Sequence, residues 1–337
     1  MKKPVAAALA LTALAGLAGC GGAAAPQAPA SSKAPASSSA PSAKSLFPNG
    51  VTLLVGFGPG GTVDTGARLL QPYLSKALGV PVVVQNMPGG GGNTAAQYEY
   101  RQKPDAPVFL MSFLPALTLG QVLGHGQYNL LKFTPLYGVF GNDTAVIIAK
   151  KGSPWKDFAS LQNASRPLTA GTAGVKSSST WMALAFLSLY NHIKVTPVPF
   201  KDGSQASEAA IGGSIDLSAT TTVEASRLIS AGKAQGVLEF APHTYSFLPG
   251  VQSIAQVGKP EEAFTSVLGV NGPPNMPKAE VAVMEKALAE AAASPELAAQ
   301  AKKVGLEVSP LSPTQWQKTI QQSYDTINAD KAFLEKF

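Results

Sequence analysis

Apolar residues fall into short unbroken runs along this chain, and the runs alternate with stretches of helical period. The pattern is clearest in residues 51–94, VTLLVGFGPGGTVDTGARLLQPYLSKALGVPVVVQNMPGGGGNT. Residues 51–55 are too few for an ordinary helix and too continuous for a half-exposed strand, so they predict a buried strand of a parallel sheet. Leu70, Tyr73, Leu74, Ala77 and Leu78 then recur at helical spacing and mark one buried helix face, which Gly79 ends. Residues 82–84 predict the next buried strand and 86–93 the next strand-to-helix loop. Two successive βα turns place two glycine-rich loops side by side at the carboxyl edge of one sheet, where open α/β sheets bind ligands.

The alternation continues downstream. Strands are expected at 108–111, 146–149, 168–170, 194–198, 215–219 and 235–239, and a helix at about 180–190. Residues 112–116 read as the loop after the third strand. Residues 171–179, GTAGVKSSS, form a third polar loop, and Thr220–Thr222 end a later strand. From Lys278 onward the pattern is helical, with Pro295 and Pro313 as first-turn prolines. Two α/β lobes follow, each with loops at its strand ends.

Those loops carry the candidate chemistry. Glycine lets backbone N–H groups face a ligand with no side chain in the way. A helix that begins at such a loop adds unpaired donors and the positive end of its dipole. Two such loops together suit a carboxylate or phosphate; glycines that serve only tight turns are the plain alternative.

The first residues read differently. Lys2 and Lys3 precede an apolar stretch at 4–17, and Leu17-Ala18-Gly19-Cys20 closes it, which is the pattern of a secretory signal. The last four residues resemble a bacterial lipobox, so residues 1–19 are expected to be a lipoprotein signal peptide and Cys20 to be lipidated. Residues 20–45, almost all Ala, Ser, Pro and Gly, are expected to be a disordered tether. At about 3 Å per residue it spans several tens of Å. The location implied is the extracytoplasmic side of a bacterial membrane, periplasm or cell surface, with contact to the membrane through the lipid anchor only.

Composition narrows the function. Cys20 is the only cysteine, which excludes a thiol catalyst and a cysteine metal cluster. His125, His192 and His243 lie far apart and in no metal-ligand spacing. The glycines at 56–61 suggest a dinucleotide loop only superficially: Pro59 is unhelpful there, Gln85-Asn86 stands where a ribose-binding acid would follow, and no phosphate loop or GxSxG elbow occurs. Neither catalysis nor a cofactor nor a metal is expected. The net charge of +6, about +4 without Lys2 and Lys3, is spread without a basic run, which argues against nucleic acid.

Four blocks in order carry a family resemblance: GGTVDTGARLLQPYLSKALGVPVVVQNMPGGGGN, TAGTAGVKSSSTWMALAF, VTPVPFKDGSQASEAAIGGSIDLS and NGPPNMPKAEVAVMEKALAEAAASPELAAQAKKVGLEVSPLSPTQW. Together the chain resembles the Bug, or TctC-like, solute-binding proteins of tripartite tricarboxylate transporters. The resemblance implies a periplasmic-binding-protein-like Venus flytrap, two α/β lobes with a ligand cleft between them. It places lobe 1 at 46–147, lobe 2 at 148–267 and a return to lobe 1 at 268–337. It implies capture of a small mono-, di- or tricarboxylate by a monomer that delivers it to a membrane permease; a sensor presenting its ligand to a histidine kinase is the alternative.

Carried over by position, the first ligand loop is Gly60, Gly61, Thr62, Val63 and Asp64, and the second is residues 88–93 with Gly91, Gly92 and Asn93. Asp64 is expected either to fix its own loop or to meet an amine or hydroxyl of the ligand, and Arg68 to pair with it. In the third loop Thr172, Gly174 and Ser177 match the family, while Lys176 replaces a glycine and Thr180 a histidine. Lys176 is therefore a candidate for a second carboxylate, against the plain reading of a solvated lysine. Ser178 and Ser179 offer further hydroxyl donors. Ser112 and Thr221 are candidates at other strand ends, and Phe57 and Phe200 as walls of the cleft.

Overall fold

The computed structural model describes residues 41–174, 176 and 178–336. The expected signal peptide, Cys20, the tether up to residue 40 and Ser177 lie outside them. The strands are β1 (Val51–Val55), β2 (Val82–Asn86), β3 (Val108–Leu114), β4 (Thr134–Asp143), β5 (Ala145–Lys150), β6 (Leu168–Ala173), β7 (Val195–Phe200), β8 (Leu217–Thr221), β9 (Ala234–Glu239), β10 (Gln252–Ser253), β11 (Ser266–Gly272) and β12 (Glu307–Leu311).

They build two six-stranded sheets, ordered β12-β4-β11-β3-β1-β2 and β10-β9-β5-β8-β6-β7. In the first sheet β2, β1 and β3 run parallel, and β11 lies antiparallel between β3 and β4. In the second sheet β5 lies antiparallel between β8 and β9. The strand that enters lobe 2 and the strand that returns to lobe 1 thus both run against their neighbours. Apolar layers cover both faces of each sheet: Leu53, Val55, Leu70 and Leu74 on one face of the first, Leu54, Leu110 and Trp316 on the other. In the second sheet Ile147 and Leu184 pack on one face, Ile148 and Leu228 on the other.

The chain passes between sheets at Thr144 and again before Ser266, and Thr144 Oγ1 donates to the Phe264 carbonyl at 2.8 Å, which ties the two crossings together. The first crossing falls three residues before the expected limit at 147, because residues 145–147 already pair with β8 and β9. The last residues of the expected tether take part in the fold. Residues Ala43–Leu46 form one helical turn capped by Ser42, with Ala43 buried and Phe47 edge-on to Phe109.

Candidate functional site

β1 and β2 end in the two glycine-rich loops, and each loop leads into a helix, Thr62–Leu78 and Asn93–Tyr100. Gly61 is the N-cap of the first helix and offers no side chain to its free N–H groups. Gly60, with φ +84°, turns the chain just before it. Behind this loop stands Asp64, buried at 3% exposure. Its carboxylate accepts from Gly60 N (2.9 Å), from Arg68 Nε (2.9 Å) and from Asn86 Nδ2 (2.8 Å). Burial pushes its pKa up, but the bonds from Arg68, Gly60 and Asn86 outweigh that and hold it below the ordinary carboxylate value. Asp64 therefore fixes the loop and is neutralised by Arg68, which places it behind the cleft rather than among its lining residues.

The second loop has four glycines in a row at positive φ, Gly89 to Gly92, a path only glycine follows without strain. Asn93 pins it from behind: its Nδ2 donates to the Gly90 carbonyl and its Oδ1 accepts from Tyr128 Oη at 2.6 Å. Gly92 lies against the wall, where an added methyl would sit 3.2 Å from both Phe57 and Leu117. The two loops touch, since a methyl on Gly56 would come within 2.7 Å of the Gly92 Cα. Phe57 meets Phe113 edge to face at 5.7 Å, the apolar side of the cleft.

Lobe 2 supplies the opposite side. Ser178 caps the Ser179–Leu189 helix through Trp181 N, and Thr172, Ser178 and Thr180 share hydroxyl bonds, with Thr172 to Thr180 at 2.8 Å. Asp202 caps the Gly203–Gly212 helix through Gln205 N at 2.9 Å. Glu224, in the first turn of the Thr222–Ser230 helix, is held by Arg227 at 2.7 Å. The loops of the two lobes approach each other closely: a methyl on Gly174 would lie 3.7 Å from Gly91 N, and one on Gly58 3.9 Å from Asp202 Oδ2.

The cleft so formed holds about 1030 Å³, counting the part open to solvent. Of the residues expected from sequence, Phe57, Gly61, Thr62, Val63, Gly91, Gly174, Ser178, Ser179, Thr180 and Thr221 line it. Gly60, Asp64, Gly92 and Asn93 do not; they shape the loops from behind. Thr172 is buried beneath Thr180. Ser112 is inside β3 rather than in a loop, where its Oγ accepts from Asn271 Nδ2 at 2.8 Å, and Asn271 in turn accepts from Trp316. Lys176 is not among the lining residues; its Nζ lies 5.9 Å from the centroid of the Trp181 ring, a cation–π distance.

Lining residues that the sequence reading did not single out include Phe113, Lys201, Asp202, Gly203 and Glu224. Lys201 makes no ion pair among the described residues. The one signal available for it was its place directly after β7, since the ends of β1, β2, β6 and β8 also feed the cleft. The charged side chains of the lining are Lys201, Asp202 and Glu224, and Arg227, outside the lining, neutralises Glu224. Attraction for an anion therefore comes from backbone N–H groups and helix starts. Among the described residues no group of three or more His, Cys, Asp or Glu could hold a metal ion. No described helix is long and apolar enough to cross a membrane.

Two α/β lobes with a cleft between them at their strand ends define the class of periplasmic-type solute-binding proteins. The chain belongs to the tripartite tricarboxylate transporter family of receptors, whose profile matches residues 66–337. A UPF0065 protein from the ttuE–ttuC′ intergenic region of Agrobacterium vitis is 28% identical over 222 residues, which is 64% of each chain and so a little under two thirds of that relative. Among solved structures, MatC from Rhodopseudomonas palustris with bound malate superposes with a TM-score of 0.75 at 24% identity, over 83% of this chain and 98% of that one. R. palustris Rpa4515 with adipate gives 0.78 at 23%, over 85% and 97%. At these identities the likeness speaks for the fold.

Proposed function

We propose that the protein captures a small carboxylate in the cleft between its lobes, outside the cytoplasm, and passes it to the membrane partners of a tripartite tricarboxylate transporter. One observation carries the reading: the two glycine loops of lobe 1 turn an uncapped helix start and a run of glycine backbone towards one cleft, while Asp64 and Glu224 are each neutralised by an arginine. The malate and adipate held by two neighbours of the same fold support it. Family and fold are those of solute-binding proteins, not enzymes. Lipidation of Cys20 would keep the protein at the membrane, and closure by bending at the two crossings would retain the ligand.

Within this reading the first carboxylate sits on Gly61, Thr62 and the glycines around Gly91. Lys201, not Lys176, is the cation offered to a second one. Asp202 favours a variant ligand: its Oδ2 faces the first loop, so an acid that also bears an ammonium group has a partner there. Thermal-shift measurement against mono-, di- and tricarboxylates, amino acids and neutral solutes tests the proposal. A ligand that binds only the folded state at a hundred times its Kd adds about 2.7 kcal/mol of stability. A shift confined to one carboxylate class is expected; a shift with neutral solutes alone would overturn it.

A further inference from the structure

Asp143 is the last residue of β4, one position before the chain crosses into lobe 2, and it is 1% exposed. Its Oδ1 accepts from Thr222 N at 3.0 Å and also from the Thr222 hydroxyl. Thr222 opens the Thr222–Ser230 helix of lobe 2, and the two residues before it, Thr220 and Thr221, line the cleft. Thr221 stands at the N-cap position but makes no side-chain cap. The capping carboxylate comes instead from the crossing strand, which satisfies the orphan donors of a helix that the ligand wall leads into.

The surroundings set this residue apart from an ordinary cap. Glu239, the last residue of β9, accepts from Tyr245 N at 3.1 Å. Asp143 Oδ2, Glu239 Oε2 and Tyr245 Oη are buried without a partner among the described residues. Burial pushes both acids up to about 7. A carboxylate kept in so unfavourable a place is costly unless its one set of bonds matters. Those bonds join β4, which belongs to the first sheet, to a helix that packs on the second. A change of angle at Thr144 moves their two ends against each other.

We propose that Asp143 is a positioning residue for the ligand site: by capping the Thr222–Ser230 helix from the crossing strand, it holds the Thr220–Thr221 wall in place and couples the angle between the lobes to ligand affinity. This rests on the reading of the cleft as a carboxylate site. Opening of the lobes strains or breaks the two bonds, and a bound ligand that needs the threonine wall restores them. Affinity lost with Asp143 therefore appears as faster release, because the encounter with the open cleft does not use the bonds.

The test compares the full chain with Asp143→Asn, Asp143→Ala and Thr222→Val, with adipate and malate as probes and calorimetry plus stopped-flow release as readouts. Asparagine keeps the acceptor, and the expected result is affinity within about three-fold of wild type; loss of a hydrogen bond to a charged group in Asp143→Ala costs about ten-fold or more, nearly all in the release rate. Thr222→Val, close to threonine in shape, falls between them and reports even if Asp143→Ala does not fold. If the variants lose melting temperature while their folded fraction binds and releases as wild type does, Asp143 is structural only and the coupling is overturned, with the function intact. If wild type binds neither acid while neutral solutes bind, the carboxylate reading falls and this proposal with it.

Discussion

Gly61 and Asp64 stand three residues apart and do opposite things: one leaves a helix start open to the cleft, the other closes the loop from behind. Gly61→Asp separates the two roles. Its backbone, at φ −79° and ψ 174°, suits an aspartate, and an added methyl meets nothing closer than 3.8 Å. Aspartate is a favoured N-cap, so stability is expected to hold or rise by about a few tenths of a kcal/mol. A unit charge about 4 Å from the bound carboxylate, at the effective dielectric of a protein surface, weakens binding by on the order of 1000-fold. Melting curves with calorimetry check both halves. The lysines make the second test: Lys201→Met is expected to weaken dicarboxylates more than monocarboxylates, and Lys176→Ala to leave both unchanged. Equal losses in Lys201→Met would return it to the solvated surface.

At this scale the sequence was legible in kind and not in direction. Glycine runs after apolar strands announced the loops, and Arg68 four residues after Asp64 announced their pairing. Which way a loop residue faces depends on contacts from elsewhere in the chain. Asn93 is turned inward by Tyr128, Thr172 is covered by Thr180, and Ser112 belongs to a chain of bonds that reaches Trp316 in the C-terminal helix. Spacing carries none of that.

Among elements, those of strong period were readable: β1, β2, and the helices that begin at Lys278, Pro295 and Pro313. β4, β11 and β12 were not. β4 and β11 carry glycines that weaken a strand pattern, and register shifts interrupt their pairing. Gly269 in β11 has its reason only in the fold, since an added methyl would press on the Trp316 ring at 2.5 Å. The Asn93–Tyr100 helix yields a pH test. Its Glu99 is fully buried with both carboxylate oxygens unpartnered among the described residues, and burial pushes it up to about 9. A folded-state pKa above the unfolded 4.5 means stability that is complete below pH 4.5 and is lost progressively as pH rises towards 9. Glu99→Gln removes that dependence. Urea unfolding is expected to show the variant the more stable at neutral pH by about 3 kcal/mol, with the gap closing near pH 4. A constant gap across pH would mean Glu99 does not titrate as its burial dictates.

Over the whole molecule, the lobes meet in more than the cleft. The Ser179–Leu189 helix of lobe 2 presents Trp181, Met182 and Ala185 to Leu119 and Val122 on one side and to Ile327 and Leu334 near the C-terminus on the other. Tyr190 stacks on Phe333 at 4.3 Å. The helix whose start places hydroxyls beside the cleft is therefore also the one that lobe 1 grips. Alternating strands and helices made two α/β lobes readable from sequence; that the grip involves the C-terminal helices was not, because it joins segments some 150 residues apart.

In the proposed function, backbone N–H groups of the two glycine loops bind the carboxylate. Titration calorimetry with adipate and with adipamide, which has the same length and shape but no charge, tests it most directly. Saturable binding of the acid, none of the amide, and loss of the acid's binding in Gly61→Asp is the result expected. Equal binding of acid and amide, or binding untouched by Gly61→Asp, would contradict it.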